Sequence, residues 1–161
     1  LNKKISQIRE LKPVVWNCWI KFPSLSFISS AIASLLGELA EDGFVSVHAY
    51  LNRESELSAE QLRNAVASKT SRPTTFGWAP RFLHSTGQYH KGGPKQGVYL
   101  QLISKTETDV QVPGRDFTLG ELIASQAAGD AKVLADLGRP VLSLTLSNPI
   151  SDYAAIVKAI G

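Results

Sequence analysis

Two histidines lie close together in a segment that is rich in glycine and in hydroxyl, amide and cationic side chains. This segment, residues 77–98, separates two strand-like stretches and contains five glycines and two prolines. Histidine exchanges protons near neutral pH without a shifted pKa. Glycine lets the backbone approach a ligand, and hydroxyl and amide groups bind phosphate or sugar oxygens. The composition therefore predicts a loop that binds a polar ligand, although a connection whose histidines only satisfy backbone groups fits it equally well.

The charge of the chain is concentrated around this segment. Residues 61–106 contain no Asp or Glu and seven Lys or Arg, so the formal net charge of +3 leaves 3 − 7 = −4 for the remainder. A basic region of this kind indicates an anionic partner. The sequence has neither an RNA-binding signature nor a helix-turn-helix pattern with basic recognition residues. A small phosphate ester is therefore favoured over nucleic acid.

The order of residues in the segment adds a family resemblance. Gly77-x-x-Pro-Arg-Phe-Leu-His-Ser-Thr-Gly-Gln-x-His-Lys-Gly-Gly-Pro resembles the C-terminal part of glucose-6-phosphate isomerase, in particular the bacterial form that is sometimes fused to transaldolase. The resemblance also includes residues 44–51, 97–102, 112–115, 129–130 and 138–141. Residues 1–40 carry no motif of this kind.

The resemblance implies an aldose–ketose isomerase that interconverts glucose 6-phosphate and fructose 6-phosphate without a metal or an organic cofactor. It implies that a histidine opens the sugar ring. His90, in Gly87-Gln88-Tyr89-His90, is the best positional match, although Tyr89 shifts the spacing by one residue, and His84 is the alternative. The other candidates are expected to contact sugar or phosphate: Arg81, Ser85, Thr86, Gln88 and Lys91.

Two departures from the family pattern weaken the case for catalysis by this chain alone. The glutamate that shuttles a proton between C1 and C2 is implied to lie in an earlier part of the full-length enzyme. A lysine that assists ring opening has no counterpart near Leu122-Ile123-Ala124, and Glu121 fits a helix cap better than a substitute. We therefore expect the isolated chain to be inactive. A noncatalytic sugar-phosphate-binding module is the alternative function, and a nucleic-acid-binding domain is a weaker third.

Length and composition place the chain in a broad class. Its 161 residues and 43% hydrophobic content fit one compact domain. A single cysteine, Cys18, excludes an internal disulfide and suits a reducing cytoplasm. Pro13 and a short apolar run argue against a signal peptide or a membrane span. Because the chain starts at Leu1 and contains no methionine, we expect it to be part of a longer protein.

The expected partners follow from the resemblance. They are a sugar phosphate, the remainder of the isomerase chain and, as dimeric members of the family imply, a second copy. We expect no nucleic acid and no membrane as partner, and no metal in the site, since the sequence has no metal-ligand spacing.

Hydrophobic periodicity predicts alternating strands and helices. Strands are predicted at 44–51, 74–76, 98–103 and 140–146, and a short strand or buried segment at 14–20. Helices are predicted at 27–40, 58–68, 118–138 and from 151 onward. Capping boxes are predicted at 58–61 and 118–121. The alternation predicts a three-layer α/β/α sandwich with a mostly parallel sheet, which is also the nucleotide-binding-like sugar-isomerase fold that the resemblance implies. Residues 1–43 are expected to form a segment with an amphipathic helix that packs on the domain of residues 44–161.

The predicted elements also indicate the surroundings of His48 and of the apolar side chains in the helix at 118–138. His48 lies in a strand, where a histidine is more often a packed structural residue than a ligand. The helix at 118–138 is expected to pass Gly129-Asp130 with a restart and to turn its apolar residues inward: Leu119, Leu122, Ile123, Ala127, Val133, Leu134 and Leu137.

Overall fold

The computed structural model describes residues 16–18, 25–55, 57–106 and 108–161. The strands are β1 (Trp16–Cys18), β2 (Phe44–Tyr50), β3 (Thr74–Trp78), β4 (Gly97–Ser104) and β5 (Val141–Leu146). The α-helices are α1 (Leu25–Gly37), α2 (Gln61–Thr70), α3 (Thr86–Gly92), α4 (Leu119–Asp136) and α5 (Pro149–Ile160). Short 3₁₀ turns at Leu57–Glu60 and Arg81–His84 precede α2 and α3.

The strands form one parallel sheet in the order β1-β5-β4-β2-β3. Helices α1, α2 and α5 pack together over one face, and α4 packs over the other face against β2, β4 and β5, with α3 beside it. The predicted three-layer α/β/α sandwich is therefore confirmed. Strand β1 belongs to the same sheet as the later strands, and α1 contributes to the same apolar core as the later elements.

The two faces of the sheet differ in chemistry. The face under α1, α2 and α5 is apolar, and its buried side chains come from alternate positions of the central strands: Val45, Val47, Val98, Leu100, Leu102, Leu142 and Leu144. The face under α3 and α4 carries buried polar side chains at the intervening positions: Ser46, His48, Tyr50, Tyr99, Gln101 and Ser143. Parallel sheets normally bury apolar side chains on both faces. The polar face is therefore the informative one.

The apolar face is closed by helices with regular stripes. Ile28, Ile32 and Leu35 on α1 follow the i, i+4, i+7 spacing of a helix that buries one side. Leu62 and Val66 do the same on α2, as predicted. These contacts make one continuous core.

Several predicted boundaries need correction. Strand β3 extends to Trp78, two residues beyond the prediction. The capping box at 58–61 does not cap α2, because that helix begins after a 3₁₀ turn and its cap residue, Glu60, makes no side-chain capping bond. The second capping box is confirmed, with Thr118 and Glu121 bonding reciprocally at the start of α4. Of the short strand or buried segment predicted at 14–20, residues 14, 15, 19 and 20 lie outside the described residues.

Helix α4 was assigned the wrong inward face. It is continuous through Gly129, and its buried residues follow an i, i+3, i+4, i+7, i+8 stripe: Ala127, Asp130, Ala131, Leu134 and Ala135. Small alanines let this helix approach the sheet closely, so they decide which side is buried. Of the residues expected inward, Ala127 and Leu134 are buried; the others are exposed, namely Leu119, Leu122, Ile123, Val133 and Leu137.

Within the described part of the chain, no helix combines the length and the apolar character that crossing a bilayer requires.

Candidate functional site

The segment between β3 and β4 is largely helical rather than an open loop. After a cis bond between Ala79 and Pro80, the chain forms the 3₁₀ turn Arg81–His84 and then α3. We call the 3₁₀ turn, which carries His84 at its end, the His84 turn. It contacts both β3 and α3. The segment therefore presents an ordered surface, with one side on the sheet and one side in solvent.

Gly77 is used for packing rather than for close approach to a ligand. A side chain there would begin 2.7 Å from the ring of Phe82, so only glycine lets this ring lie against β3. The Phe82 ring also packs on His48, with ring centroids 4.5 Å apart. Phe82 thus anchors the His84 turn to the polar face of the sheet.

A chain of hydrogen-bonding groups lies under this turn. His48 Nε2 is 3.1 Å from Ser46 Oγ, and Thr75 Oγ1 donates to the same oxygen at 2.9 Å. His90 Nε2 approaches Ser46 Oγ at 3.4 Å from helix α3. The imidazole rings of His48 and His90 stack, with centroids 5.0 Å apart. The Ser46 hydroxyl on β2 therefore links both histidines.

Asp130 joins this chain from α4. Its Oδ1 lies 2.6 Å from Lys91 Nζ, and its Oδ2 lies 3.4 Å from His48 Nδ1. The second contact lacks hydrogen-bond geometry, and it is an ion pair only when His48 is protonated. Gln101 Nε2 is 3.5 Å from Oδ2 and donates to the Ala127 carbonyl at 3.2 Å. We call Ser46, His48, Thr75, His90, Lys91, Gln101 and Asp130 the polar layer.

The types Asp130, His48 and Ser46 match those of a hydrolase triad, but burial excludes that chemistry. Ser46 is 1% exposed, and its oxygen already accepts a hydrogen bond from Thr75. A nucleophile must reach the reacting atom of its substrate. The polar layer therefore supports the structure around it rather than attacking a substrate.

Burial sets the protonation of the layer. Desolvation lowers the pKa of His48 despite the opposing effect of Asp130, and lowers the pKa of His90 to about 4, with the charge of His48 adding to the effect. For Asp130, burial raises the pKa, but the interactions with His48 and Lys91 outweigh it, so its pKa is lowered. Burial also raises the pKa of Tyr50. Near neutral pH the layer holds neutral histidines and one ionised carboxylate.

The C-terminal end of α3 is held by a buried arginine. Arg139, from the loop before β5, donates to the carbonyls of Lys91, Gly93 and Pro94 at 2.9, 2.6 and 2.7 Å. The last carbonyls of a helix have no partner within the helix and favour a nearby cation. Arg139 therefore fixes the helix that carries His90 and Lys91.

The predicted site residues divide into two groups. His90 and Lys91 belong to the polar layer, and only the side chain of Lys91 keeps partial contact with water, at 24% exposed. The exposed group consists of Arg81, His84, Ser85, Thr86 and Gln88. Two of these make local bonds, from Ser85 Oγ to the Phe82 carbonyl and from Gln88 Nε2 to the Leu83 carbonyl. His84 and its exposed neighbours are accessible to a ligand, whereas His90 is not.

The sequence analysis expected His48 to be a packed structural residue, which its burial confirms, but it did not predict the other members of this arrangement: Ser46, Thr75, Gln101, Asp130 and Arg139. A signal for Ser46 was present, because Ser46, His48 and Tyr50 alternate on one strand and so share one face. For Asp130 the signal is its place within the alanine stripe of α4. Nothing local in the sequence indicates that Arg139 reaches across to α3.

The fold defines the chain as a parallel three-layer α/β protein with a buried polar layer under an exposed histidine turn. No family model matches the chain, and no curated protein is significantly similar to it. It is similar in structure to a hypothetical protein from Thermus thermophilus, with a TM-score of 0.66 and 18% sequence identity over 87% of this chain. The chain spans 40% of the length of that protein. At this identity the likeness supports the fold alone.

The lowered histidine pKa values predict a loss of stability in mild acid. Between pH 6.5 and about 4, the unfolded chain binds more protons than the folded one, so the free energy of unfolding falls as the pH drops. His90 alone is expected to contribute a loss of about 2 kcal/mol between pH 7 and pH 5, at roughly 1.4 kcal/mol per pKa unit. Urea unfolding at both pH values checks this, and an equal free energy at the two would contradict it.

Replacing Arg139 should loosen α3. Arg139→Lys keeps a positive charge but cannot span three carbonyls with one ammonium group. We expect a loss of roughly 2–3 kcal/mol of unfolding free energy, measured by urea denaturation. Arg115→Lys is the matched control, since Arg115 is exposed, and it should leave stability unchanged. Equal stabilities of the two variants would show that Arg139 does not hold the helix.

Proposed function

We propose that the chain is the C-terminal sugar-isomerase-type domain of a glucose-6-phosphate isomerase. In the complete protein it would help to interconvert glucose 6-phosphate and fructose 6-phosphate. The observation that carries the proposal concerns the segment with the family resemblance. This segment exposes Arg81 and His84 on the His84 turn, and it exposes the hydroxyls of Ser85 and Thr86 directly after the turn. The sequence likeness and the surface chemistry therefore fall on the same residues.

The place of this turn in the sheet also supports ligand binding. The crossover after β2 leads outward to β3, whereas the crossover after β4 leads the other way to β5, and β2 and β4 are neighbours. Ligands of open α/β sheets bind outside the carboxyl ends of the strands near such a reversal. The His84 turn begins three residues after β3 ends, beside β2.

Of the two histidine candidates, we assign the ring-opening role to His84. A general acid or base must come within hydrogen-bond reach of the proton that it transfers. His90 is 3% exposed, and its Nε2 faces Ser46 inside the protein. His84 is exposed and reaches solvent without any movement of the layers. His90 and Lys91 then support the site instead of touching the substrate.

The proposed chemistry has two parts. In ring opening, a proton is delivered to ring oxygen O5 while the O1 hydroxyl loses one, and His84 serves as the group that exchanges these protons. In isomerisation, a glutamate outside this chain, as the resemblance implies, moves a proton between C1 and C2 through a cis-enediol. Arg81 provides positive charge for the substrate phosphate. The reaction as the resemblance implies it uses no metal and no organic cofactor.

The setting of the proposed enzyme is the cytoplasm, where the single Cys18 would stay reduced. The remainder of the isomerase chain and a second copy are the proposed protein partners. Nucleic acid and membranes are not among them.

A noncatalytic sugar-phosphate-binding module is the second candidate. Where the resemblance leads us to expect a ring-opening lysine, the chain has Leu122 and Ile123, and both lie exposed on the first two turns of α4. A protein that kept the phosphate contacts but lost this cation would bind the substrate without converting it.

The two candidates are separated by measuring binding and turnover together. Amide chemical shifts of the 161-residue chain are recorded during titration with fructose 6-phosphate, with inorganic phosphate and a short oligonucleotide as controls. We expect saturable shifts at residues 81–86 with the sugar phosphate and none with the oligonucleotide. His84→Ala in the complete protein should lower kcat by about 10²- to 10⁴-fold. Lys132→Ala, an exposed cation on α4, is the control that should change neither.

The outcomes are distinct. Binding at residues 81–86 without isomerase activity in the complete protein would favour the noncatalytic module. Isomerase activity that survives His84→Ala but not His90→Ala would overturn the assignment of His84. An absence of both binding and activity would overturn the proposed function.

A further inference from the structure

The hydrogen-bond capacity of the polar layer determines which nitrogen carries the proton in each buried histidine. Asp130 Oδ2 lies 3.4 Å from His48 Nδ1 without hydrogen-bond geometry, but a carboxylate presents only lone pairs and negative charge, so the His48 proton is favoured on Nδ1, the nitrogen that faces Asp130. His48 Nε2 is then bare and accepts from Ser46 Oγ at 3.1 Å. This hydrogen bond to His48 uses the single hydroxyl proton of Ser46.

Ser46 also determines which nitrogen of the second histidine, His90, carries its proton. Ser46 Oγ has two acceptor positions, and Thr75 fills one of them. The other faces His90 Nε2, which must therefore carry the His90 proton. His90 Nδ1 is left as a buried acceptor with no hydrogen-bond partner among the described residues. The charge of Asp130 thus sets the proton positions of both histidines through one serine.

The layer is also connected mechanically to the exposed turn. The Phe82 ring lies on His48, and Phe82 is two residues before His84. Lys91, which Asp130 holds at 2.6 Å, lies on the helix that continues from the turn. Asp130 therefore acts on the His84 turn through His48, and on the helix that follows the turn, α3, through Lys91.

We propose that Asp130 is a positioning residue, which orients the His84 turn by fixing His48 and Lys91 beneath it. The proposed consequence for catalysis rests on the proposed function. The structural consequence does not, because it concerns the chain without any ligand.

The substitution Asp130→Asn gives a sharp test, since it keeps the shape and removes the charge. Lys91 only donates, so it retains the amide oxygen, and the amide NH₂ then faces His48 Nδ1. His48 must move its proton to Nε2 and donate to Ser46. Ser46 must then donate to His90 Nε2, which moves the His90 proton to Nδ1. One substitution on α4 should invert the tautomers of two histidines on other elements.

The measurement is long-range ¹H–¹⁵N NMR of the imidazole rings at pH 7.5 in the ligand-free chain. We expect Nδ1–H for His48 and Nε2–H for His90 in the wild type, and the reverse in Asp130→Asn. Amide shifts at residues 82–86 should change with them. The matched control is Asp136→Asn on the same helix, where Asp136 pairs only with exposed Lys132 in the described structure, and it should leave both tautomers unchanged.

A double variant tests whether the change at His48 reaches His90 through Ser46. In Asp130→Asn combined with Ser46→Ala, His48 should still invert, because it faces the new amide directly, whereas the change should no longer be imposed on His90. In the complete protein, Asp130→Asn should lower kcat/KM by about tenfold to a hundredfold, because the turn that carries both His84 and the proposed phosphate contact Arg81 is displaced.

Three results would overturn the inference. One is a wild type with the opposite tautomers, which decides the question even if the variants fail to fold. Another is an Asp130→Asn variant that keeps the wild-type tautomers. The third is inversion of both histidines with unchanged amide shifts at residues 82–86, which would mean that the layer does not position the turn. A complete protein without isomerase activity would overturn the proposed function, and the NMR results would still decide the role of Asp130.

Discussion

The charge of Asp130 is the constraint on which the rest of the structure depends. It sits between the sheet and α4 at 5% exposure, where an unpaired carboxylate is strongly destabilising. Lys91 compensates it at 2.6 Å while keeping partial contact with water, which reduces the desolvation cost of the pair. The carboxylate therefore requires α3 to lie where Lys91 can reach it. Arg139 fixes the same C-terminal end of this helix through the carbonyls of Lys91 and Gly93.

The two faces of the sheet differ in what they contribute to the structure. The apolar face stabilises the fold through burial, which is tolerant of small shifts in position. Hydrogen bonds on the polar face have strict distances and directions, so they specify one arrangement of the covering elements. The exposed His84 turn lies over the face with the stricter geometry. A proposed proton-transfer group gains from that support, because small displacements of such a group reduce the rate steeply.

The layers and most elements could be predicted from the sequence because they follow from local periodicity and capping, as at Thr118 and Glu121. The buried face of α4 could not, since alanines approach the sheet more closely than the leucines that the pattern favours. The sequence placed the candidate residues within one segment but did not separate them into exposed and buried ones. That separation depends on Asp130 and Arg139, which are about 40 and 50 residues away in sequence from His90. The alanine stripe of α4 indicates that Asp130 is buried, but contacts of this range leave no local pattern that identifies the partners.

The most direct test of this account is the titration of His90, followed by NMR of its imidazole C–H resonances in the folded, ligand-free chain from pH 8 to pH 4.5. Because the layer is buried and holds a neutral imidazole, with a pKa lowered to about 4, we predict that His90 shows no titration midpoint above about pH 5 while the chain remains folded. A midpoint near 6.5 in the folded chain would contradict the account. His90 would then be open to solvent, and the separation of an exposed His84 from a supporting polar layer would fail.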